Sequence, residues 1–153
     1  MGDRLTTLAV LANLCMLALA QALSGPAQTR PGSPAQPLKL VGQRLLEALA
    51  IADELASARG RLTVLEVCAG LAAVQGVGSQ ALRWDAAAAH HLSSLGRQRD
   101  ATDAAFLGPL LDQARAALGP SDATAAQAEG AALALGDALD QARQSLLALV
   151  ATD

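Results

Sequence analysis

His90 and His91 are the most conspicuous candidates for chemistry in this chain, but they are adjacent. On a helix their rings point about 100° apart and cannot share one metal ion. Asp85 lies too far along the same segment to complete a site with them, and Cys68 would have to reach in from a preceding helix. The pair reads as a surface or half-buried feature, and no metal is expected. Ser93, Ser94 and Ser121 have no neighbour suited to activate a nucleophile, and Ser121 is better explained as a helix cap. No paired carboxylates stand out as general acid and base. Cys15 and Cys68 are too few for a disulfide scaffold and lie among apolar residues. Buried free thiols in a reducing compartment are therefore expected. The expectation is a chain without catalytic residues or cofactor.

Two glycine-bearing stretches could in principle cradle a cofactor. Val64-Leu65-Glu66-Val67-Cys68-Ala69-Gly70 can be written as a strand and glycine turn. That form is similar to the first motif of S-adenosylmethionine-dependent methyltransferases, where an acidic residue and glycines let the backbone approach the cofactor. Here Ala72 stands at the second glycine position, and no further strand follows to build a parallel sheet, so helix is the preferred reading. Gly76-Val77-Gly78-Ser79-Gln80-Ala81 fits a dinucleotide fingerprint only loosely; an inter-helix turn accounts for both glycines. A remote nucleotide- or S-adenosylmethionine-binding protein is the alternative these stretches leave open.

The elements that would position these residues are helical. The 153 residues suit one domain, and 52% are hydrophobic while only 1% are aromatic. The apolar content is nearly all Ala and Leu, which lose little side-chain entropy in a helix. Net charge is −3 with no Lys/Arg run, so phosphate neutralisation is unavailable and direct nucleic-acid binding is not expected.

Residues 1–23 form a first apolar segment, Leu5 to Leu23 at its centre. The expectation is a soluble packed helix, because Thr6, Thr7, Asn13 and Gln21 interrupt the run and Asp3 sits beside Arg4. A signal peptide or membrane anchor is the alternative, with Ala20-Gln21-Ala22 supplying small residues at a cut. Residues 24–37 carry four prolines and read as a loop or linker. Residues 38–153 read as a repeat-like helical domain. Its first helix spans Leu38 to Ala58, with Leu38, Val41, Leu45, Leu49, Ala52 and Leu55 inward and Gln43, Glu47 and Glu54 outward; Arg59-Gly60 ends it. Helices follow over Leu62–Gln75, from a Ser79 cap to about Leu95, over Ala101–Leu118 with Pro109 as a kink or true start, over Asp122–Glu129 up to a break at Gly130, and over Asp137–Val150. Short connections make neighbours antiparallel.

Leu17-Ala18-Leu19-Ala20-Gln21 and Leu71-Ala72-Ala73-Val74-Gln75 look like one helix end used twice, 54 residues apart. A tetratricopeptide repeat has a period of about 34, and the proline-rich loop would account for the excess. Leu65-Glu66 through Cys68-Ala69-Gly70-Leu71-Ala72-Ala73-Val74-Gln75-Gly76 resembles the first helix of degenerate tetratricopeptide-like repeats. Such repeats form the C-terminal arrays of bacterial LuxR-type and STAND predicted-ATPase regulators. Leu110 to Gly119, Ala128-Glu129-Gly130, Ala132 to Leu135 and Ala138-Leu139 resemble the closing segment of those arrays. The resemblance covers residues 60–143 and, more weakly, 1–58. It departs where the family pattern has aromatics at Ala123 and Gln127 and a Ser cap at Ala134, which should weaken the last helices by a few kcal/mol. The ATPase and DNA-binding motifs of those regulators are absent.

The expected fold is all-α, with six to seven helices in antiparallel pairs, either a tetratricopeptide-like α-α superhelix or an irregular helical bundle. The resemblance implies a non-catalytic, cytoplasmic protein-interaction module, the sensory or scaffold arm of a transcriptional regulator. Its partner would be a protein or peptide docked in a groove between helices. Arg83, Trp84, His91 and Arg115 are the candidate contact residues, with core anchor as the other role open to Trp84. A secreted or membrane-anchored small helical protein is the rival reading.

Overall fold

The computed structural model describes residues 2–24 and 35–152, and seven α-helices with no strand run through them. They are α1 (Gly2–Ser24), α2 (Ala35–Glu54), α3 (Ala58–Val74), α4 (Gly78–Ser94), α5 (Ala101–Leu118), α6 (Pro120–Ala131) and α7 (Leu135–Ala151). The all-α expectation holds. Most of the expected 24–37 loop lies outside the described residues. Its last three, Ala35 to Pro37, already belong to α2. Proline is tolerated in a first turn because the N–H it lacks would have no helical partner there.

Three expected boundaries shift, each for a local reason. Arg59-Gly60 does not end α2; the chain turns earlier, through Ala56 at φ 48, and Ser57 caps α3 by accepting a hydrogen bond from the Gly60 N–H at 3.0 Å. Ser79 is not the cap of α4, which starts at Gly78 after Val77 without a side-chain cap. Ser121 likewise lies inside α6, where Pro120 takes the first helical position and Gly119, at φ 87, the cap. Pro109 neither kinks nor starts α5, which runs on from an Asp100 cap whose carboxylate accepts from the Thr102 N–H at 2.8 Å. Both Pro109 and Ala105, the residue four back, are exposed, so water can take the carbonyl that proline leaves unbonded.

Helix α3 is the hub. From Leu62 to Ala72 it is buried almost all round except at Thr63, and it packs against α1, α2, α4, α5 and α7. Around it Leu19, Val41, Leu45, Leu49, Leu65, Leu82, Leu107 and Leu146 form one continuous core. Cys15 and Cys68 lie in that core as free thiols, and burial pushes both up in pKa, as expected of unreactive side chains.

Helix α6 reaches α4 by a different device. Gly130 does not break it but sits inside it, buried, where any Cβ would overlap the Arg83 carbonyl of α4. Ala123 and Ala126 share that face.

Candidate functional site

The four expected contact residues do not form one surface. Trp84 is 2% exposed and anchors the core, its indole N–H donating to Gln141 Oε1 of α7 at 3.3 Å. His91 is half-buried, with Nε2 3.1 Å from the Leu133 carbonyl in the α6–α7 turn. Arg83 pairs with Glu129 of α6 at 3.7 Å, and its buried Nε has no hydrogen-bond partner. All three on α4 are therefore turned to the chain's own last two helices. Arg115 stands apart on α5, paired along its helix with Asp112 at 2.8 Å. His90 and His91 make an edge contact with ring centroids 5.5 Å apart, and no group of metal-ligating side chains occurs among the described residues.

A site that spacing did not reveal joins α3, α4 and the α4–α5 connection. Glu66 of α3 is 4% exposed and Asp85 of α4 is 8% exposed. The six residues between α4 and α5 bring Arg99 between them: its Nε donates to Glu66 Oε1 at 2.7 Å, and its Nη2 donates to Asp85 Oδ1. So the chain does assemble paired buried carboxylates, 19 positions apart in sequence and on different helices. The sequence signal was a lone acid inside an Ala/Leu/Val run, Glu66, and a second beside the only Trp. Each is explained by one guanidinium, which offers a planar fork to both.

Burial raises the Glu66 pKa, and the charge and hydrogen bonds of Arg99 offset only part of that. Arg99 in turn holds its proton more tightly, because the two carboxylates outweigh its own desolvation. Taking Arg99 away would strand two acids in a low-dielectric interior, the costly way to break a buried ion pair. The arrangement ties the α4–α5 connection to α3 and α4. Because the guanidinium engages both acids, the three side chains act together as one tether.

A second ion cluster is half-exposed. Asp53 of α2 accepts from Arg61 Nε and from Arg143 Nη2, each at 2.7 Å, and so joins α2, α3 and α7. Asp140 lies 3.5 Å from Arg143 beside it, and a cavity of about 310 Å³ opens there over Leu135 and Leu139. Both arginines are occupied by carboxylates, which leaves little for an incoming anion.

Of the large apolar residues left exposed among the described residues, half are on α1 (Leu5, Val10, Leu14 and Leu17), and the others, Leu40, Val77, Leu95 and Leu147, are spread over the rest of the chain. Val10, Leu14 and Leu17 are 49%, 40% and 47% exposed, while Leu8, Ala12, Cys15, Met16 and Leu19 on the opposite side are buried. Comparison of the chain with protein-family models, with curated proteins and with solved structures gives no match.

Proposed function

We propose that this chain is a non-catalytic helical module that docks a protein or peptide through α1. The observation that carries the reading is the outer stripe of Val10, Leu14 and Leu17. Their spacing of four and three residues sets them in one row along the helix. A row of large apolar side chains left in water marks an interaction surface more often than scattered ones do, and a helix face of this kind fits a hydrophobic groove on a partner.

Two further observations support it. Among the described residues the buried acids are Glu66 and Asp85, and both are engaged by Arg99. Each of α3 and α5 packs against both helices of the pair before it, as stacked helix pairs do, whereas α7 returns to α2. We read the fold as a bundle that begins like a tetratricopeptide stack and is closed by its last helix. A sensory or scaffold role like that of the LuxR-type and STAND arrays, in the cytoplasm, goes with that reading. Its docking face, however, belongs to α1 and not to α4. The test is a photo-reactive phenylalanine at Leu14, with Gln43 on the exposed side of α2 as control, in living cells. Discrete protein adducts at position 14 and none at 43 support the reading; adducts at neither position sink it.

A second reading rests on the same helix. Gly2–Ala22 has a mean hydropathy of 1.8 and is only 33% buried. At 1.5 Å per residue it is about 30 Å long, enough to cross a bilayer's hydrocarbon core. Retention in membranes after alkaline carbonate washing, or a mature N-terminus near Leu23, would favour this anchor or signal over docking.

A further inference from the structure

We propose that the cavity between the start of α3, the α4–α5 connection and the start of α5 binds a small zwitterion of the α-amino-acid type. This does not rest on the docking reading and concerns a different face of the molecule. Arg59, Thr63 and Glu66 line it from one side of α3, at the four- and three-residue spacing that shares a helix face. Arg97, Asp100 and Asp103 close it from the opposite side, and Arg99 lies at its inner end.

The charges balance: three guanidiniums, of Arg59, Arg97 and Arg99, meet three carboxylates, of Glu66, Asp100 and Asp103. Some of these are already engaged. Arg99 is bound to Glu66 and Asp85, and Asp100 caps α5. The Arg59 and Arg97 side chains are exposed and make neither a hydrogen bond nor an ion pair among the described residues, while the Arg97 N–H donates to the Leu92 carbonyl; the Asp103 carboxylate is half-buried without a hydrogen bond. Burial and nearby Asp100 raise the Asp103 pKa, and Arg99 and Arg59 offset this in part. Two solvent-exposed guanidiniums thus line the same cavity as Glu66 and an acid that lacks a hydrogen-bonded counter-charge.

A simple anion would satisfy the arginines and worsen the position of Asp103 and Glu66; a simple amine would do the reverse. A zwitterion supplies both partners at once, its ammonium to Asp103 and Glu66 and its carboxylate to Arg59 and Arg97. The cavity volume of about 190 Å³ is below the roughly 300–1,000 Å³ of pockets for drug-sized ligands. It is also about ten times what one water needs. Leu92 is its one apolar lining residue, so the ligand's side chain is small or absent.

The experiment is an NMR titration of the full chain with glycine and with serine, and separately with acetate and with methylammonium. Saturable shifts of residues 59–66 and 97–103 with the amino acids, and at least about tenfold weaker binding of either fragment, are expected. Arg97→Gln and Asp103→Asn should each weaken glycine binding about tenfold. The far-UV spectrum and melting midpoint of each free variant serve as the check on folding. No saturable shift with either amino acid, acetate or methylammonium binding as tightly as glycine, or unchanged binding by both folded variants would overturn the assignment.

Discussion

Helix α1 meets the core through Leu8, Met16 and Leu19, whereas α6 meets α4 through Ala123, Ala126 and Gly130. The first contact is made by large side chains filling space, and the second by two backbones drawn together. A large side chain supplies burial at its tip and leaves the helix free to carry another apolar row behind it, as Val10, Leu14 and Leu17 do. A backbone crossing brings the whole helix down onto its neighbour, so α6 and the turn to α7 cover Arg83 and His91. The α4 residues Arg83, Trp84 and His91 are taken up internally, and the apolar row of α1 is at the opposite end of the chain.

The seam between these regions should show the largest effect. Arg99→Met leaves Glu66 and Asp85 buried without their cation and is expected to cost about 3–5 kcal/mol, measured as the urea unfolding free energy. Leu19→Ala, on the inner face of α1, should cost about 2–5 kcal/mol in the same assay. A smaller loss would mean that α1 is not fastened as a core helix.

Gly130→Ala sharpens the other half of the comparison. Glycine to alanine inside a helix normally stabilises by about 0.5–1 kcal/mol. Here the new Cβ meets the Arg83 backbone, so a loss of about 1–3 kcal/mol is expected instead; a gain would show that α6 is not held by a backbone crossing. Ala134→Ser should stabilise by about 0.5–2 kcal/mol. Ala134 caps α7 in the extended conformation that a capping serine uses, with no side-chain bond at present. Thermal midpoints read its sign directly. Smallest of all, Leu17→Gln should leave stability within about 0.5 kcal/mol, because its side chain is already 47% exposed.

Helix type was legible because period and punctuation are local properties. Of the inward row, Val41, Leu45, Leu49 and Ala52 are buried as their spacing implied and the ends, Leu38 and Leu55, are half-buried, and Gly76 and Gly96 end their helices at φ 80 and φ 68. Glycine as punctuation was ambiguous elsewhere. Gly60 and Gly130 have the same letter but serve close packing, which depends on what lies opposite and not on flanking residues. The Arg99 tether was hidden for a related reason. Its members come from α3, α4 and the connection after α4, and only packing brings them together. Trp84, His91 and Arg83 read from the sequence as candidate partner contacts; in the fold they meet Gln141, the Leu133 carbonyl and Glu129, because α6 and α7 fold back over α4.

The central claim is that α1 presents one docking row and not an apolar surface all round. It is tested most directly by moving a photo-reactive residue through positions 9, 10, 13, 14 and 17 in living cells. Protein adducts should be strongest at Val10, Leu14 and Leu17 and weak at Ala9 and Asn13, following the helix period. Equal labelling at all five positions, or lipid adducts in place of protein, would contradict the claim.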